Sequence, residues 1–140
     1  MDTVIPSPAI VSTLMRREIE RFVDAARVRA EYDVDTRRRA QRRYHRSWPL
    51  LVSCHRQQNE LSAALHNASA DGIGFLCDRG FPANAVVLIK LFWHEDDGLR
   101  VPAVVRHVTP FRHANLVGCH FHLSDDEVCR KAFESRRWYG

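Results

Sequence analysis

The spacing of apolar residues predicts a long helix near the start of the chain. Ser7 followed by Pro8 is a favourable helix start, because serine can cap the first turn and proline at the first helical position loses no hydrogen bond. Beyond this point apolar residues recur every three or four positions, at Val11, Met15, Ile19, Phe22 and Ala26. This period indicates an amphipathic helix from about Pro8 to Tyr32. Its apolar stripe must be buried against the rest of the chain or against a second copy.

From Trp48 onward the period changes from 3.6 residues to two, which predicts strands. Six such segments are separated by turn residues: 50–56, 60–67, 73–77, 85–93, 99–108 and 116–123. Short strands at this spacing are typical of an antiparallel sandwich or small barrel, and we favour the barrel because it leaves fewer strand edges exposed. Ser124 to Glu127 reads as a capping box that opens a last helix. We expect Val128, Ala132 and Phe133 of that helix to cover one mouth of the barrel.

Composition argues for a single globular domain. The 140 residues are 45% apolar and 27% charged, which argues against a multidomain enzyme and excludes a wholly disordered chain. The first eight residues do not resemble a signal peptide, and no run of about 18 apolar residues occurs, so we expect a soluble cytoplasmic protein. Four cysteines without a CxxC motif favour reduced, buried thiols over disulfides.

The positive charge is concentrated in one segment. The chain holds 21 basic and 17 acidic residues, a net charge of +4. Residues 37–46 contain six arginines and no acid, so the rest of the chain carries −2 (4 minus 6). A local excess of this kind indicates a discrete anionic partner.

Two motifs carry candidate binding chemistry. Arg42, Arg43 and Arg46 directly precede the first strand, and a guanidinium fork can donate two hydrogen bonds to guanine O6 and N7 or to phosphate oxygens. The alternative is a solvated basic linker. Between the second and third strands, the Asn67 amide oxygen and the Ser69 hydroxyl could accept hydrogen bonds from guanine N1 and N2. The alternative there is that both side chains satisfy their own turn, with a positive φ at Gly72.

Together, in this order and separation, the two motifs resemble those of the PilZ domain family. The RxxxR pair is matched by Arg42 and Arg46, and the (D/N)xSxxG motif by Asn67, Ser69 and Gly72, with asparagine where aspartate is commoner. Weaker landmarks lie at 103–106 and 118–121, and the resemblance covers about residues 38–133. It implies a six-stranded β-barrel that binds cyclic di-GMP, a bacterial second messenger. The implied ligand-binding residues are Arg42, Arg43, Arg46, Asn67, Ser69 and Gly72, with Arg38 and Arg39 as the alternatives if the RxxxR spacing is taken in another register.

These features predict two parts of the chain and one function. We expect an N-terminal helical extension over residues 1–36 and a PilZ-like barrel domain over residues 37–140, which includes an arginine-rich arm at 37–47. The protein would be a non-enzymatic cyclic di-GMP receptor without a cofactor. If the arm becomes ordered on the ligand, it would change the direction of the helix. This would alter either the surface that a protein partner contacts or a homodimer formed through the helix.

Two alternative functions remain open at this stage. The same arginines could bind nucleic acid through phosphates without selecting a base. A PilZ-like fold without a ligand could dock a partner through the helix stripe at Met15, Ile19 and Phe22. His120 and His122 share one strand face but lack a third metal ligand at a sensible spacing, which argues against zinc. No sequence pattern indicates a catalytic nucleophile or a phosphate loop. Aromatic residues that could stack on a base stand at Trp48, Trp93, Trp138 and Tyr139.

Overall fold

Six strands form a closed antiparallel barrel in the computed structural model. The structure describes residues 7–40, 48–54, 60–96 and 98–139, and of residues 30–40 and 135–139 it describes the backbone alone. Around the barrel the strand order is β1-β2-β3-β6-β5-β4, which confirms the predicted architecture. The strands are β1 (Pro49–Cys54), β2 (Glu60–Ala68), β3 (Gly72–Cys77), β4 (Val86–Lys90), β5 (Arg100–Phe111) and β6 (Ala114–Phe121).

The β5–β6 hairpin is longer than the sequence predicts. Its strands continue past Val108 and meet at a tight turn at Arg112 and His113, where Arg112 adopts a φ of 57°. This outer part of the hairpin is exposed or half-buried, and its sequence does not show the apolar alternation that marks the other strands. The period therefore predicts the buried part of the hairpin and misses the exposed part.

The barrel interior is filled by residues that alternate along the strands, as a two-residue period requires. Aliphatic and aromatic side chains from all six strands form one buried cluster: Leu50, Val52, Ala63, Ile73, Phe75, Val87, Ile89, Val101, Ala103, Val105, Val117 and Cys119. The four cysteines are free thiols, of which Cys54 is half-buried and the other three are buried.

The first helix, α1 (Pro8–Ala40), packs on the barrel of its own chain. Ser7 Oγ accepts the Ile10 N–H at 3.4 Å, which agrees with the predicted start. The predicted stripe is buried, with Met15 and Phe22 fully covered, so it does not form a docking surface for a partner. The helix ends at Ala40 and not near Tyr32, because no glycine or proline interrupts this segment and arginine is a good helix former. The domain boundary at residue 36, which falls inside α1, remains a prediction.

Phe22 of α1 closes one end of the barrel. Its ring lies 5.2 Å from that of Trp48, before β1, and 6.0 Å from that of Phe92, after β4. Trp48 and Phe92 are 5.8 Å apart, and Trp48 Nε1 donates a hydrogen bond to the Leu91 carbonyl at 2.8 Å. Because neighbouring strands are antiparallel, the start of β1, the end of β2 and the start of β3 all lie at this end.

The second helix, α2 (Asp126–Tyr139), packs on the outside of the barrel. Its buried Cys129, Ala132 and Phe133 cluster with Val11 and Met15 of α1 and with Leu88 of β4. Leu88 stands between two inward-facing residues and therefore faces outward. The expectation that α2 covers a barrel mouth is thus wrong, since α1 takes that place.

The cap of α2 differs from the predicted capping box. Asp125 Oδ1 accepts the N–H groups of Glu127 and Val128 at 3.0 and 3.2 Å, so Asp125 and not Ser124 caps the first turn. None of the helices in the described ranges is both long and apolar enough to span a membrane.

Candidate functional site

The turn between β2 and β3 is held by Ser69. Its N–H donates to the Gly72 carbonyl at 2.9 Å, and its Oγ accepts the N–H groups of Asp71 and Gly72, both at 3.3 Å. Ser69 therefore has the turn-forming role that the sequence offered as an alternative. Because the hydroxyl oxygen accepts these two bonds, its proton remains the group that can be donated to a ligand.

Gly72 is required by a close approach between strands. A Cβ atom at this position would overlap the carbonyl oxygen of Cys119 on β6. No glycine in the described ranges has a positive φ, so the expectation of a left-handed Gly72 is wrong. The absence of a side chain allows β3 to lie against β6 at the corner.

A β-bulge places Asn67 on the outer surface. The pairing of β2 with β3 shifts between Leu65 and Asn67, so two residues of β2 occupy the space of one. Regular alternation after Ala63 and Leu65 would turn Asn67 toward the barrel interior. With the bulge, Ala68 packs against the core and Asn67 is exposed. Its side chain lies over Gly74, whose missing Cβ would be 2.6 Å from Asn67 Oδ1.

A second bulge has the same effect on β5. The pairing of β5 with β6 shifts between Val105 and His107. Val105 is fully buried and Val108 packs against the core, whereas His107 is exposed on the outer face. The imidazole of His107 lies over Gly118, and a Cβ there would be 2.5 Å from Nε2 and 2.7 Å from Cε1.

The two bulges bound one row of residues across four strands. Asn67 on β2 pairs with Gly74 on β3, Gly74 pairs with Gly118 on β6, and Gly118 pairs with His107 on β5. This row is part of an open pocket of about 480 Å³ that also includes the β2–β3 corner. The pocket is lined by Asn67, Ala68, Ser69, Asp71, Gly72, Ile73, Gly74, His107, Leu116, Gly118, Cys119 and His120. The sequence motifs do not indicate Gly74 or His107, because no local signal gives the register across four strands.

The structure brings together only part of the predicted site. Asn67, Ser69 and Gly72 share the pocket. The predicted contacts Arg42, Arg43 and Arg46 lie outside the described residues. Arg38 and Arg39 belong to the last turn of α1, where only the backbone is described.

Trp48, the residue that follows the predicted arm, is held beside this pocket. The Trp48 carbonyl accepts the Leu65 N–H at 2.9 Å, and Leu65 stands two residues before Asn67. The chain therefore enters β1 from the side of the barrel that carries the corner.

The other candidate chemistries gain no support from the described residues. In the described ranges, no group of three His, Cys, Asp or Glu residues is placed to hold a metal ion. His120 is exposed in the pocket, while the backbone N–H of half-buried His122 donates to the Pro102 carbonyl at 2.8 Å. Trp48 packs against Phe22, and Trp93 is 51% exposed in the loop after β4.

Comparison with known proteins agrees with the motif pattern. A family model described as the PilZ domain matches residues 36–135. No curated protein shows a significant match. Among solved structures, MrkH from K. pneumonia is similar at 12% identity with a TM-score of 0.42 over 69% of this chain. The chain spans 46% of the length of that protein.

Proposed function

Because the chain belongs to the PilZ domain family, we propose that it is a bacterial cytoplasmic receptor that binds cyclic di-GMP and catalyses no reaction. The ligand-binding unit in this proposal begins at residue 37. The observation that carries it is that the family match includes a pocket in which Asn67 and Ser69 face outward together. A receptor needs only complementary contacts, so no nucleophile or proton shuttle is required.

Asn67 and Ser69 have different roles in this proposal. Within the described part of the chain, the Asn67 amide has no protein hydrogen-bond partner, so its oxygen is available to guanine N1–H and N2–H. Ser69 already accepts two backbone hydrogen bonds. We therefore assign to Ser69 the positioning of the corner and the donation of its hydroxyl proton to a ligand oxygen.

The arginines supply the charge that the pocket lacks. Its lining residues from the described ranges include Asp71 but no lysine or arginine. An anionic ligand therefore requires basic groups from elsewhere. Arg46 is two residues from Trp48, and two residues of chain reach at most about 7 Å. In this proposal Arg46, with Arg42 and Arg43, contacts the phosphates and the O6 and N7 edge of guanine, and Arg38 and Arg39 contribute less directly.

We also propose that the ligand fixes the predicted arm at 37–47, of which residues 37–40 already form the end of α1, and thereby signals to a protein partner. The first half of α1 is fixed by Met15 and Phe22, which are fully buried. Val23 and Ala25 also pack against the core, so any change in the direction of the helix is confined to the part beyond Ala25. Hydrogen exchange followed by mass spectrometry should show slower exchange in residues 33–47 when the ligand is added. Equal exchange rates with and without ligand contradict this step.

Isothermal titration of cyclic di-GMP into the full chain tests the binding proposal. A bidentate arginine contact contributes about 1–3 kcal/mol, so Arg42→Ala and Arg46→Ala should each weaken binding roughly 5- to 150-fold. Asn67→Ala should weaken binding as well. Arg112→Ala is a matched control, because this exposed arginine lies on the β5–β6 turn outside the pocket lining.

Two further titrations separate the alternatives. GTP should give no heat, because it lacks the second guanine and the cyclic backbone. If cyclic di-GMP gives no heat but a short DNA duplex does, the arginines serve nucleic-acid binding, and this binding should fall steeply with salt. If neither ligand gives heat, the proposal fails.

A further inference from the structure

We propose that His107 is a second base-contacting residue of this site and that, together with Asn67, it selects the 2-amino edge of guanine. This inference rests on the proposed binding of cyclic di-GMP. Neither motif includes His107, and its role follows from its place at the end of the cross-strand row.

The first argument is the position of the His107 ring. The bulge before His107 turns this residue outward from a strand whose neighbouring valines face the core. Its Nε2–Cε1 edge then lies directly over Gly118, where any Cβ atom would overlap it. The ring thus reaches across β6 toward the centre of the pocket.

The second argument is convergence with Asn67. Asn67 Oδ1 lies over Gly74, and Gly74 pairs directly with Gly118. Neighbouring strands lie about 4.8 Å apart, so Oδ1 of Asn67 and Nε2 of His107 approach each other over adjacent glycines from opposite sides. Two glycines in register are what allow both polar atoms to lie so close to the backbone.

The third argument is the chemistry of the pair. Neither ring nitrogen of His107 has a hydrogen-bond partner in the part of the protein that the structure describes. With its proton on Nδ1, a neutral imidazole accepts a hydrogen bond at Nε2. An amide oxygen and an imidazole nitrogen then form a pair of neutral acceptors. Guanine N1–H and N2–H₂ provide the matching pair of donors, whereas hypoxanthine has N1–H but no 2-amino group.

The test compares cyclic di-GMP with its inosine analogue, which lacks both 2-amino groups, by titration into the full chain. The wild-type protein should bind cyclic di-GMP more tightly than the inosine analogue, by about 2- to 10-fold for each hydrogen bond to a 2-amino group that the analogue lacks. His107→Phe retains a ring over Gly118 without the acceptor, and it should bind the two ligands with a smaller ratio of affinities. His107→Gln retains an acceptor and should keep a larger ratio than His107→Phe. His107→Ala is a second variant that does not depend on the fit of a new ring.

The controls distinguish the possible failures. His113→Ala removes another exposed histidine, on the β5–β6 turn, and should leave both affinities unchanged. If the wild type binds neither ligand, the proposed function itself fails. If the wild type discriminates between the ligands and both His107→Phe and His107→Ala discriminate equally well, this inference is overturned while the receptor proposal stands.

Discussion

Arg21 on α1 forms a two-pronged ion pair with Glu95 in the loop that follows β4. Its guanidinium donates to the two carboxylate oxygens at 2.8 and 2.9 Å, and it also lies 3.6 Å from the centre of the Phe92 ring. The same guanidinium donates to Glu18 Oε1 at 3.1 Å. This one side chain therefore links the first helix to the barrel end that Phe22 closes.

The two carboxylates that share Arg21 have opposite pH dependences. Burial raises the pKa of the Glu18 carboxyl above 4.5 and outweighs the hydrogen bond from Arg21. The hydrogen bond from Arg21 lowers the pKa of Glu95, which is more exposed. At a pH below the pKa that Glu18 has in the unfolded chain, protonated Glu18 contributes stability to the fold. This contribution is lost as the pH rises through the higher pKa of Glu18 in the folded protein. The contribution of Glu95 is present at neutral pH and is lost as the pH falls below its usual pKa.

Glu18→Gln should raise the free energy of unfolding at neutral pH, because a neutral amide avoids the desolvation of a buried carboxylate. The difference from wild type should shrink as the pH falls and the Glu18 carboxylate takes up its proton. Urea denaturation over a series of pH values measures this difference in the free energy of unfolding. Glu20→Gln, on the exposed face of the same helix, is the control and should follow the wild-type curve. A difference that grows toward acid pH contradicts the assignment.

Phe22→Ala should destabilise the whole chain by about 3–5 kcal/mol, because it empties the ring cluster with Trp48 and Phe92. Denaturant unfolding followed by tryptophan fluorescence measures the effect. Val28→Ala on the same helix is the matched control, since Val28 is 66% exposed and should change stability little. If the two variants are equally stable, α1 is an appendage that the barrel does not need.

Gly72→Ala should cost about 1–3 kcal/mol, because the new methyl group would press against the Cys119 carbonyl across the β3–β6 pairing. Gly80→Ala should be tolerated, since the nearest atoms to a Cβ there lie 3.9 and 4.0 Å away. Thermal unfolding of the two variants compares them directly. Equal melting temperatures mean that β3 and β6 can separate at the corner without loss of stability.

Cys119 should resist alkylation in the folded protein. Burial raises the pKa of its thiol to about 12, and the thiolate is the reactive form. Half-buried Cys54 is the internal comparison and should be labelled first. Mass spectrometry after brief iodoacetamide treatment at a pH of about 8 reports both rates. Labelling of Cys119 as fast as Cys54 shows that β6 opens easily in the native state.

The fold was largely predictable from sequence because its signals are local. The two-residue period predicted the strands, and the spacing from Val11 to Phe22 predicted which face of α1 is buried. The end of α1 was missed because charged arginines continue a helix without showing an apolar stripe. The position of α2 was missed because an apolar face does not specify which surface it covers.

The candidate site was predictable only where a motif marks it. Asn67, Ser69 and Gly72 were found from their spacing, although the reason for Gly72 is an approach between strands and not a turn conformation. His107 was not found, because its neighbour Gly118 is eleven residues away along the chain and the register that joins them depends on a bulge. Pairings of this kind are fixed by the closed barrel as a whole.

The two bulges make residue count a determinant of the site. Each adds one residue to its strand and so decides whether the next side chain faces solvent or the core. Deleting His66 would leave every letter of the Asn67 to Gly72 motif in place and remove the need for the bulge, because Asn67 would then follow inward-facing Leu65 directly and face outward by regular alternation. A relative with the same motif letters and the same bulge but one residue more in β2 or β5 would instead carry an inverted site. An insertion at either of these two positions matters as much for this surface as a substitution within the motif.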